Sequence, residues 1–268
     1  MKISAIIICK NEEGRIETCL ESVKWVDEIV IMDNGSIDKT LEIAKKYTSK
    51  VYSFEDQDFS SLRNKGIEKV TGDWVLYIDA DERILQPLKE EIKNLITQEQ
   101  FSAYAISRKN IIFGKEVSYG PYKKDWVIRL VKKSAFKGWV GKVHEYITFN
   151  GKLGYAKDPL LHLTHRDIDH FILKSLEWSK IDAKLRLDSG HPPMTQWRFF
   201  RILITEIFYQ GIIRRGFFNG TVGTIDSMLQ AFSFYMTYVR LWQLQQPKPL
   251  DEVYREIDKG LIKNNFHK

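Results

Sequence analysis

The chain has 268 residues, of which 43% are hydrophobic and 28% are charged. This composition excludes a disordered chain and predicts a packed core, and the length suffices for one large α/β domain with a smaller attachment. The net charge is +6, and residues 104–174 hold 14 Lys or Arg against 6 Asp or Glu. Such a stretch attracts phosphate in a nucleotide, a nucleic acid or an anionic lipid, unless it is only a solvated surface.

We expect neither a signal peptide nor a membrane span. The apolar run at residues 3–9 is too short for a signal peptide. No apolar stretch approaches the ~18 residues that cross a bilayer. The two cysteines, Cys9 and Cys19, lack the spacing of a metal or redox motif, so we expect reduced thiols in a cytoplasmic protein.

The first 100 residues alternate between strand and helix signals. We predict strands at residues 3–9, 28–32, 51–54 and 74–78, and helices from Ile16, from Asp38 through Tyr47, over 60–70 and from Pro87 to about Ile96. Ser36 or Asp38 can cap the second helix. This order predicts an α/β protein whose mostly parallel sheet is flanked by helices, and such sheets bind ligands beyond the carboxyl ends of their strands.

From residue 101 the pattern changes. Strand signals at 104–107, 126–131 and 146–149 alternate with Gly and Lys, and a helix signal runs from Asp167 to about Leu187. The sequence Gly190-His191-Pro192-Pro193 is typical of a linker, and the remainder is helical. We therefore predict one domain over 1–165, with halves 1–100 and 101–165, and a helical C-terminal extension over 166–268.

The sequence Asp79-Ala80-Asp81 ends the fourth predicted strand and is the strongest chemical signal. Two carboxylates one residue apart reach into the cleft or its rim, and carboxylate oxygens are the ligands that Mg²⁺ and Mn²⁺ prefer. A divalent ion held there can bind a diphosphate and neutralise its charge as it leaves. An Asp-rich turn without a function is the alternative.

Four further polar residues belong to the same edge of the sheet. Asn11 and Glu13 follow the first strand, Asp33 follows the second, and Arg63 lies on the helix that enters the fourth. Taken singly, each fits a turn, a helix cap or a surface pair. Together with the two aspartates they converge on one edge, which predicts a ligand site there.

These motifs resemble those of family 2 glycosyltransferases with the GT-A fold, in order and in spacing. The matching segments are Cys-Lys-Asn-Glu-Glu at 9–13, Asp-Asn-Gly-Ser-Ile-Asp-Lys-Thr at 33–40, Arg-Asn-Lys-Gly at 63–66 and Gly-Asp-Trp-Val-Leu-Tyr-Ile-Asp-Ala-Asp-Glu at 72–82. The resemblance continues through 129–130 and 141–145. The positions of His162 and of Arg-Gly-Phe-Phe-Asn-Gly at 215–220 resemble the subgroup that glucosylates the lipopolysaccharide core, so nearly the whole chain is covered.

The resemblance implies that residues 1–100 bind the nucleotide sugar and that 101–165 bind the acceptor. The implied nucleotide-sugar contacts are Asn11, Glu13, Asp33, Arg63 and Asp79. Asp33 would contact the base, Arg63 the base or the diphosphate, and Asp79 would lie near the ribose, while Asp81 would hold Mn²⁺ or Mg²⁺. Many relatives have two acids before the Gly-Ser of the second motif; here the second position is Asn34, so base recognition depends on Asp33.

Enzymes of this family invert the anomeric centre by single displacement, which requires a carboxylate that accepts the proton of the acceptor hydroxyl. Glu145 is our candidate for this general base because many relatives carry an acidic residue at that position. Glu82 and Asp73 are the alternatives.

Three other residues have implied roles on the acceptor side. Arg129 and His144 would contact the acceptor or the diphosphate, and His144 is also a possible metal ligand. His162 can complete the metal shell of Asp81, or it is a structural histidine.

The sequence thus predicts an inverting hexosyltransferase that moves glucose from a UDP-sugar to a lipopolysaccharide core or another lipid-linked glycan. No G-x-G-x-x-G follows the first strand and no Walker A sequence occurs, which excludes dinucleotide and P-loop enzymes. The alternative is a basic non-enzyme that binds nucleic acid or another phosphate ligand. It would leave the paired acids unexplained, since acids repel phosphate, and we expect no nucleic-acid partner.

Two C-terminal helical segments combine a narrow polar stripe with a wide apolar surface. In residues 224–244 the stripe comprises Asp226, Gln230, Ser233, Thr237 and Arg240, and in 196–213 it comprises Arg198, Arg201 and Thr205. We predict that the apolar faces pack on the catalytic domain and on the inner face of the cell membrane, where a lipid-linked acceptor lies. A hairpin buried within the protein or in a dimer is the alternative.

Overall fold

The computed structural model describes residues 1–55, 58–141 and 145–263. Its contacts divide the chain into two compact units, Met1–Arg166 and Asp167–Lys268. The first unit contains the β-sheet, and the elements described in the second are helical.

The first part of the sheet unit alternates strands and helices, which confirms the predicted order. Its elements are β1 (Ile3–Cys9), α1 (Ile16–Val23), β2 (Glu28–Asp33), α2 (Thr40–Ala44), β3 (Val51–Ser53), α3 (Phe59–Ile67), β4 (Trp74–Asp79), β5 (Glu82–Arg83) and α4 (Gln86–Leu95). Every residue of β1 is buried, as expected of a strand covered by helices on both faces.

The second part of this unit consists of strands and short turns. The strands are β6 (Ala103–Ile112), β7 (Lys115–Val117), β8 (Trp126–Lys132), β9 (Phe136–Val140), β10 (Tyr146–Phe149), β11 (Leu153–Tyr155) and β12 (Leu160–Thr164). β9 and β10 form a separate antiparallel pair.

The main sheet is mixed, whereas the sequence predicts a mostly parallel one. Its strand order is β3-β2-β1-β4-β8-β6-β12-β5, with β7 and β11 also paired to β6. The first four strands are parallel, but β8 runs antiparallel to both β4 and β6. Since no crossover helix lies between β6 and β8, the chain returns through a short connection, which suits antiparallel neighbours.

The strand register aligns the residues that end β1, β2 and β4. Cys9 lies opposite Asp33 and Ile8 lies opposite Asp79, so the loops after these strands share one edge. Helix α3 packs closely on β1, because a Cβ at Gly66 would lie 2.9 Å from Cγ2 of Ile6. This close packing fixes the helix that carries Arg63.

The second unit contains four described α-helices. They are α5 (Ile168–Asp188), α6 (Gln196–Phe208), α7 (Gly220–Leu244) and α8 (Leu250–Lys263), and α6 continues into a π-helical turn at Tyr209–Ile213. Asp167 and Thr195 accept N-terminal N–H groups and so cap α5 and α6. Among the described helices, we find no stretch with the length and hydropathy that a bilayer crossing requires.

Helix α7 buries polar residues beside apolar ones such as Leu241 and leaves several large apolar residues exposed. Its buried residues include Asp226, Ser227 and Thr237, whereas Met228 and Phe232 are more than two-fifths exposed. The helix packs against α5, whose buried residues are Phe171 and three small residues, Ser175, Ser179 and Ala183. The predicted polar stripe therefore faces the neighbouring helices, and part of the apolar surface faces outward.

Candidate active site

Two arginines hold the carboxylate of Asp79 at the end of β4. Arg63 donates from Nη2 to Oδ1 over 2.8 Å, and Arg129 donates to Oδ2. Burial raises the pKa of the Asp79 carboxyl, but the charges of Arg129 and Arg63 outweigh burial and hold that pKa well below its usual range. The carboxylate of Asp79 is therefore ionised and binds two arginine side chains.

The loop after β4 is fixed from inside the protein by Glu82 and Arg129. The Glu82 carboxylate is fully buried; it accepts the backbone N–H of Asp79 at 3.1 Å and Nη2 of Arg129 at 2.6 Å. Burial raises the pKa of Glu82. The side chain of Arg129 is only 5% exposed, so the contacts in this structure are internal, and the predicted contact to an acceptor or diphosphate would require exposure.

Arg83 ties the same loop to α1. Its guanidinium donates to the carbonyl oxygens of Ala80, Glu82 and Arg15 at 2.7, 2.7 and 2.8 Å, and its Nε donates to Thr18 Oγ1 at 2.9 Å. A guanidinium supplies five donors in a fixed fork, which suits it to bridging several backbone carbonyls. These hydrogen bonds fix the backbone of the Asp-Ala-Asp loop.

Strand pairing brings His162 to Asp81. Strand β12 pairs with β5, and the N–H of Leu163 donates to the carbonyl of Asp81 at 2.9 Å. His162 Nε2 then lies 3.4 Å from Asp81 Oδ2. One carboxylate oxygen and one imidazole nitrogen at this spacing fit two ligands of a divalent cation whose remaining positions are filled by diphosphate and water. In the part of the chain that the structure describes, no group of three or more His, Cys, Asp or Glu side chains is placed to hold a metal ion, so the pair would need ligands from outside the protein.

Helix α3 brings Arg63 against Glu145. Asn64 exchanges two hydrogen bonds with the backbone of Trp139, at 2.8 and 3.0 Å, which docks α3 on β9. The Arg63 guanidinium lies 4.7 Å from the centre of the Trp139 ring and donates to Oε2 of Glu145. Arg63 therefore joins Asp79 to the predicted base. His144, the other predicted contact here, lies outside the described residues.

The loops after β1 and β2 bind each other. Asn11 accepts from the N–H of Ile37 at 2.9 Å, and Glu13 accepts from the N–H of Lys39 at 3.1 Å. Asp33 is fully buried, and its oxygens accept N–H groups of Gly35 and Ser36 at 3.1–3.2 Å. In this structure Asp33 shapes the turn, and a contact to a base would need one of its oxygens to reach open space.

The predicted residues therefore form one connected set and one neighbouring loop pair. Arg63, Arg129, Asp79 and Glu145 are joined by direct contacts, and Asp81 with His162 adjoins them through the same loop. Asn11, Glu13 and Asp33 organise the two adjacent loops at the same edge. The alternative base Asp73 lies at the other end of β4, where it accepts the N–H of Lys2 at 2.8 Å.

The sequence analysis missed three residues behind His162. Arg108 donates to both oxygens of Asp125 at 2.8 and 2.9 Å, Asn110 donates to Asp125 at 3.0 Å, and Asn110 Oδ1 lies 2.7 Å from His162 Nδ1. Burial raises the pKa of Asp125, but hydrogen bonds from Arg108 and Asn110 outweigh it and lower that pKa. Two polar residues at alternate positions of β6 were the available signal, because alternate residues share one face of a strand.

A mixed α/β sheet with an acidic pair at the carboxyl edge of its parallel half, and with a histidine that β12 brings to this pair, is the arrangement of a glycosyltransferase with the GT-A fold. Residues 4–151 match the model of glycosyl transferase family 2, and the chain belongs to this family.

The curated relatives agree with this assignment over most of the chain. A lipopolysaccharide core biosynthesis glycosyltransferase, LpsC of Rhizobium meliloti (strain 1021), is 28% identical over 91% of this chain and 93% of its own length. An uncharacterized glycosyltransferase of Rickettsia bellii (strain RML369-C) is 30% identical over 91% of this chain and 87% of its own.

Solved structures show more distant similarity. Residues 1–349 of TarS from S. aureus align over 86% of this chain and 81% of that one, with 14% identity and a TM-score of 0.46. Glucosyl-3-phosphoglycerate synthase from Mycobacterium tuberculosis, crystallised with Mg²⁺ and UDP, aligns over 41% of this chain and 43% of that one, with 25% identity and a TM-score of 0.34.

Proposed function

We propose that this glycosyltransferase moves a hexose, glucose in the first instance, from a UDP-sugar to a hydroxyl of a lipopolysaccharide core or another lipid-linked glycan, with inversion. The observation that carries the proposal is the continuous constellation at the carboxyl edge: Asp81 beside His162, and Arg63 between Asp79 and Glu145. The proposal assigns a divalent-ion site to Asp81 and His162, and it assigns a cation for phosphate and a carboxylate base to the adjoining pair of Arg63 and Glu145.

The donor would lie over the loops after β1 and β2. The base and ribose would face the loops organised by Asn11, Glu13 and Asp33, with Asp79 near the ribose. Arg63 contacts one carboxylate on each side of the site, and a guanidinium matches the paired oxygens of phosphate. Its present partners are two carboxylates, so a diphosphate would compete with them for the same donors.

Asp81 and His162 would hold Mn²⁺ or Mg²⁺. When bound, the ion supplies Lewis-acid neutralisation of the diphosphate that leaves the sugar. The protein contributes a preorganised loop, since Arg83, Glu82 and Arg129 fix the backbone that carries Asp81. Preorganisation of this kind avoids reorganisation of charged groups during the reaction.

Glu145 would accept the proton of the acceptor hydroxyl as that oxygen attacks the anomeric carbon from the face opposite the diphosphate. Glu82 is less suited because its carboxylate is fully buried and its oxygens already accept hydrogen bonds. The lipopolysaccharide acceptor is supported by the relative from Rhizobium meliloti, whose name assigns it to lipopolysaccharide core biosynthesis.

A screen of nucleotide sugars tests the proposal. We expect a UDP-hexose to raise the melting temperature of the chain when Mn²⁺ is present, because ligands that bind only the folded state stabilise it by mass action. Without the divalent ion the shift should be small. Thermal shift is measured first, and hydrolysis of the stabilising donor second.

Nucleic acid is the control ligand for this screen. A basic phosphate-binding non-enzyme would respond to oligonucleotides, with steep dependence on monovalent salt and none on Mn²⁺. That pattern, with no response to any nucleotide sugar, would contradict the transferase proposal.

We also propose that the second unit docks on the inner face of the cell membrane, where a lipid-linked acceptor is accessible. Most of the large apolar side chains that are exposed in the described residues belong to this unit. On α6, the exposed residues Trp197, Phe200, Ile204 and Phe208 recur at spacings of three and four, so they form one stripe along the helix. Exposed apolar surface of this extent marks an interaction site.

The composition of α6 supports lipid as the partner, whereas the interior of the unit is a packed core. Tyr238 and Leu241 of α7 are buried there with Ala183 of α5, and Arg240 Nε donates to Ser179 at 2.8 Å. Trp with Arg suits the headgroup layer, and Arg201 is exposed on α6.

Flotation with anionic liposomes measures this docking. The double variant Trp197→Glu, Ile204→Glu should lose most of the membrane-bound fraction of the wild type, because both side chains are mostly exposed, at 72% and 65%, and neither contributes to the core. Ile37→Glu, at a 93% exposed apolar position of the sheet unit, is the matched control and should float like the wild type. Equal flotation of all three proteins, or none of the wild type, would reject docking through α6.

A further inference from the structure

The chain of side chains behind His162 determines which of its ring nitrogens carries a proton. Asp125 is held as a carboxylate by Arg108, which donates to both of its oxygens. A carboxylate only accepts hydrogen bonds, so the Asn110 amide atom 3.0 Å from it is the NH₂ group. The other amide atom, the carbonyl oxygen, then faces His162 at 2.7 Å.

A carbonyl oxygen also only accepts, and this fixes the imidazole. Nδ1 of His162 carries the hydrogen, and Nε2 carries the lone pair. Nε2 is the atom that lies 3.4 Å from the carboxylate of Asp81. In the neutral imidazole, Nε2 and the carboxylate oxygen are two lone-pair atoms that repel each other unless a metal ion or a proton lies between them. The neutral form of His162 therefore presents a metal-binding nitrogen to Asp81.

We propose that Asn110 and Asp125 are positioning residues for the metal: together they hold His162 in the Nδ1–H tautomer and direct Nε2 toward the ion at Asp81. The inference depends on the proposed function for the identity of the ion. Outer hydrogen bonds of this type orient metal-binding histidines, and their loss typically weakens metal affinity about 10–100-fold.

The burial of these residues gives the arrangement its rigidity. Asn110 is 1% exposed, and the side chain of Asp125 is 17% exposed. Both β6, which carries Asn110, and β12, which carries His162, belong to the main sheet and pair with each other, with Asn110 directly opposite His162. The amide and the imidazole are therefore placed by strand register rather than by a mobile loop.

Long-range ¹H–¹⁵N NMR of the metal-free protein, at a pH where the imidazole is neutral, reads the tautomer directly. We expect Nδ1–H in the wild type and a mixture, or the Nε2–H form, in Asn110→Leu. An Nε2–H tautomer in the wild type would overturn the inference whatever ion the protein binds.

Mn²⁺ affinity, measured by electron paramagnetic resonance with saturating UDP, is the second readout. Asn110→Leu should bind Mn²⁺ about 10–100-fold more weakly than the wild type. Equal affinities would overturn the inference, whereas a wild type that binds no Mn²⁺ would contradict the metal assignment of the proposed function.

An exchange of the two side chains separates positioning from general stability. In Asn110→Asp, Asp125→Asn the carboxylate and the amide trade places, so an oxygen still faces His162 and the total charge is unchanged. We expect this double variant to recover most of the Mn²⁺ affinity that Asn110→Leu loses. If its affinity is as low as that of Asn110→Leu while its melting temperature is normal, the positioning role is wrong.

Discussion

Replacing Asp81 by alanine should abolish sugar transfer and the Mn²⁺-dependent part of UDP binding while leaving the fold intact. The side chain is the carboxylate of the proposed metal pair, and in such a site the ion is held by the carboxylate together with the phosphate oxygens of the ligand. The link from Asp81 to β12 is a backbone hydrogen bond from Leu163, which alanine retains. Calorimetry of UDP with and without Mn²⁺ measures the effect.

Asp73→Ala is the matched control for this variant. Asp73 lies just before β4, at the end of the strand opposite to Asp81, and it is exposed. Its removal should leave Mn²⁺-dependent UDP binding unchanged and should leave turnover near normal. Unchanged Mn²⁺-dependent binding in Asp81→Ala would show that the metal is held elsewhere.

Glu145→Gln should lower turnover roughly 10²–10⁴-fold, the range expected when a positioned general base is lost. Glutamine keeps the shape of the side chain and one oxygen for Arg63, but it cannot accept the proton. Donor binding should survive, because the Asp81–His162 pair and the contact from Arg63 to Asp79 do not involve Glu145. Single-turnover rates and UDP affinity, measured on the same preparation, separate the two effects.

The stereochemistry of the product is part of the same prediction. Single displacement converts an α-linked donor into a β-linked glycoside, which NMR of the product resolves. Near-normal turnover in Glu145→Gln would move the base to Glu82, since Asp73 lies at the far end of β4. Retention of the α configuration would contradict single displacement.

The regular elements of the sheet unit could be predicted because burial leaves a pattern in the sequence. Residues 3–9 and 146–149 coincide with β1 and β10, and the predicted helices overlap α1 to α4. Helix α2 ends at Ala44, earlier than predicted. Lys39 occupies its N-cap position, and of the two proposed caps Asp38 accepts the N–H of Thr40, the first residue of the helix, at 3.0 Å. Strands as short as β5 or β7 have too few residues to show a period, and the antiparallel direction of β8 has no local signal.

The residues of the candidate site that directly follow a strand could be predicted from the sequence. Asp79 and Asp81 are visible because a buried apolar strand stops there, and parallel strands bring their ends together. Asn110 and Asp125 were not, because Asn110 meets His162 across a separation of 52 residues, through a register that the sequence does not state, and Asp125 is linked to His162 through Asn110. The inward turn of the polar stripe of α7 was missed for the same reason: Ser179, which accepts from Arg240 of the stripe, lies on another helix.

The position of Arg63 has a thermodynamic consequence for how the two substrates bind. One guanidinium serves Asp79 on the donor side and Glu145 on the acceptor side. In the proposed complex, a diphosphate that draws Arg63 away from Glu145 makes that carboxylate more basic and better able to bind an acceptor hydroxyl. Because linkage is reciprocal, a bound acceptor must raise donor affinity by the same factor that the donor raises acceptor affinity. In the free enzyme Arg63 donates to Glu145, so this is the state in which Glu145 is least able to activate water.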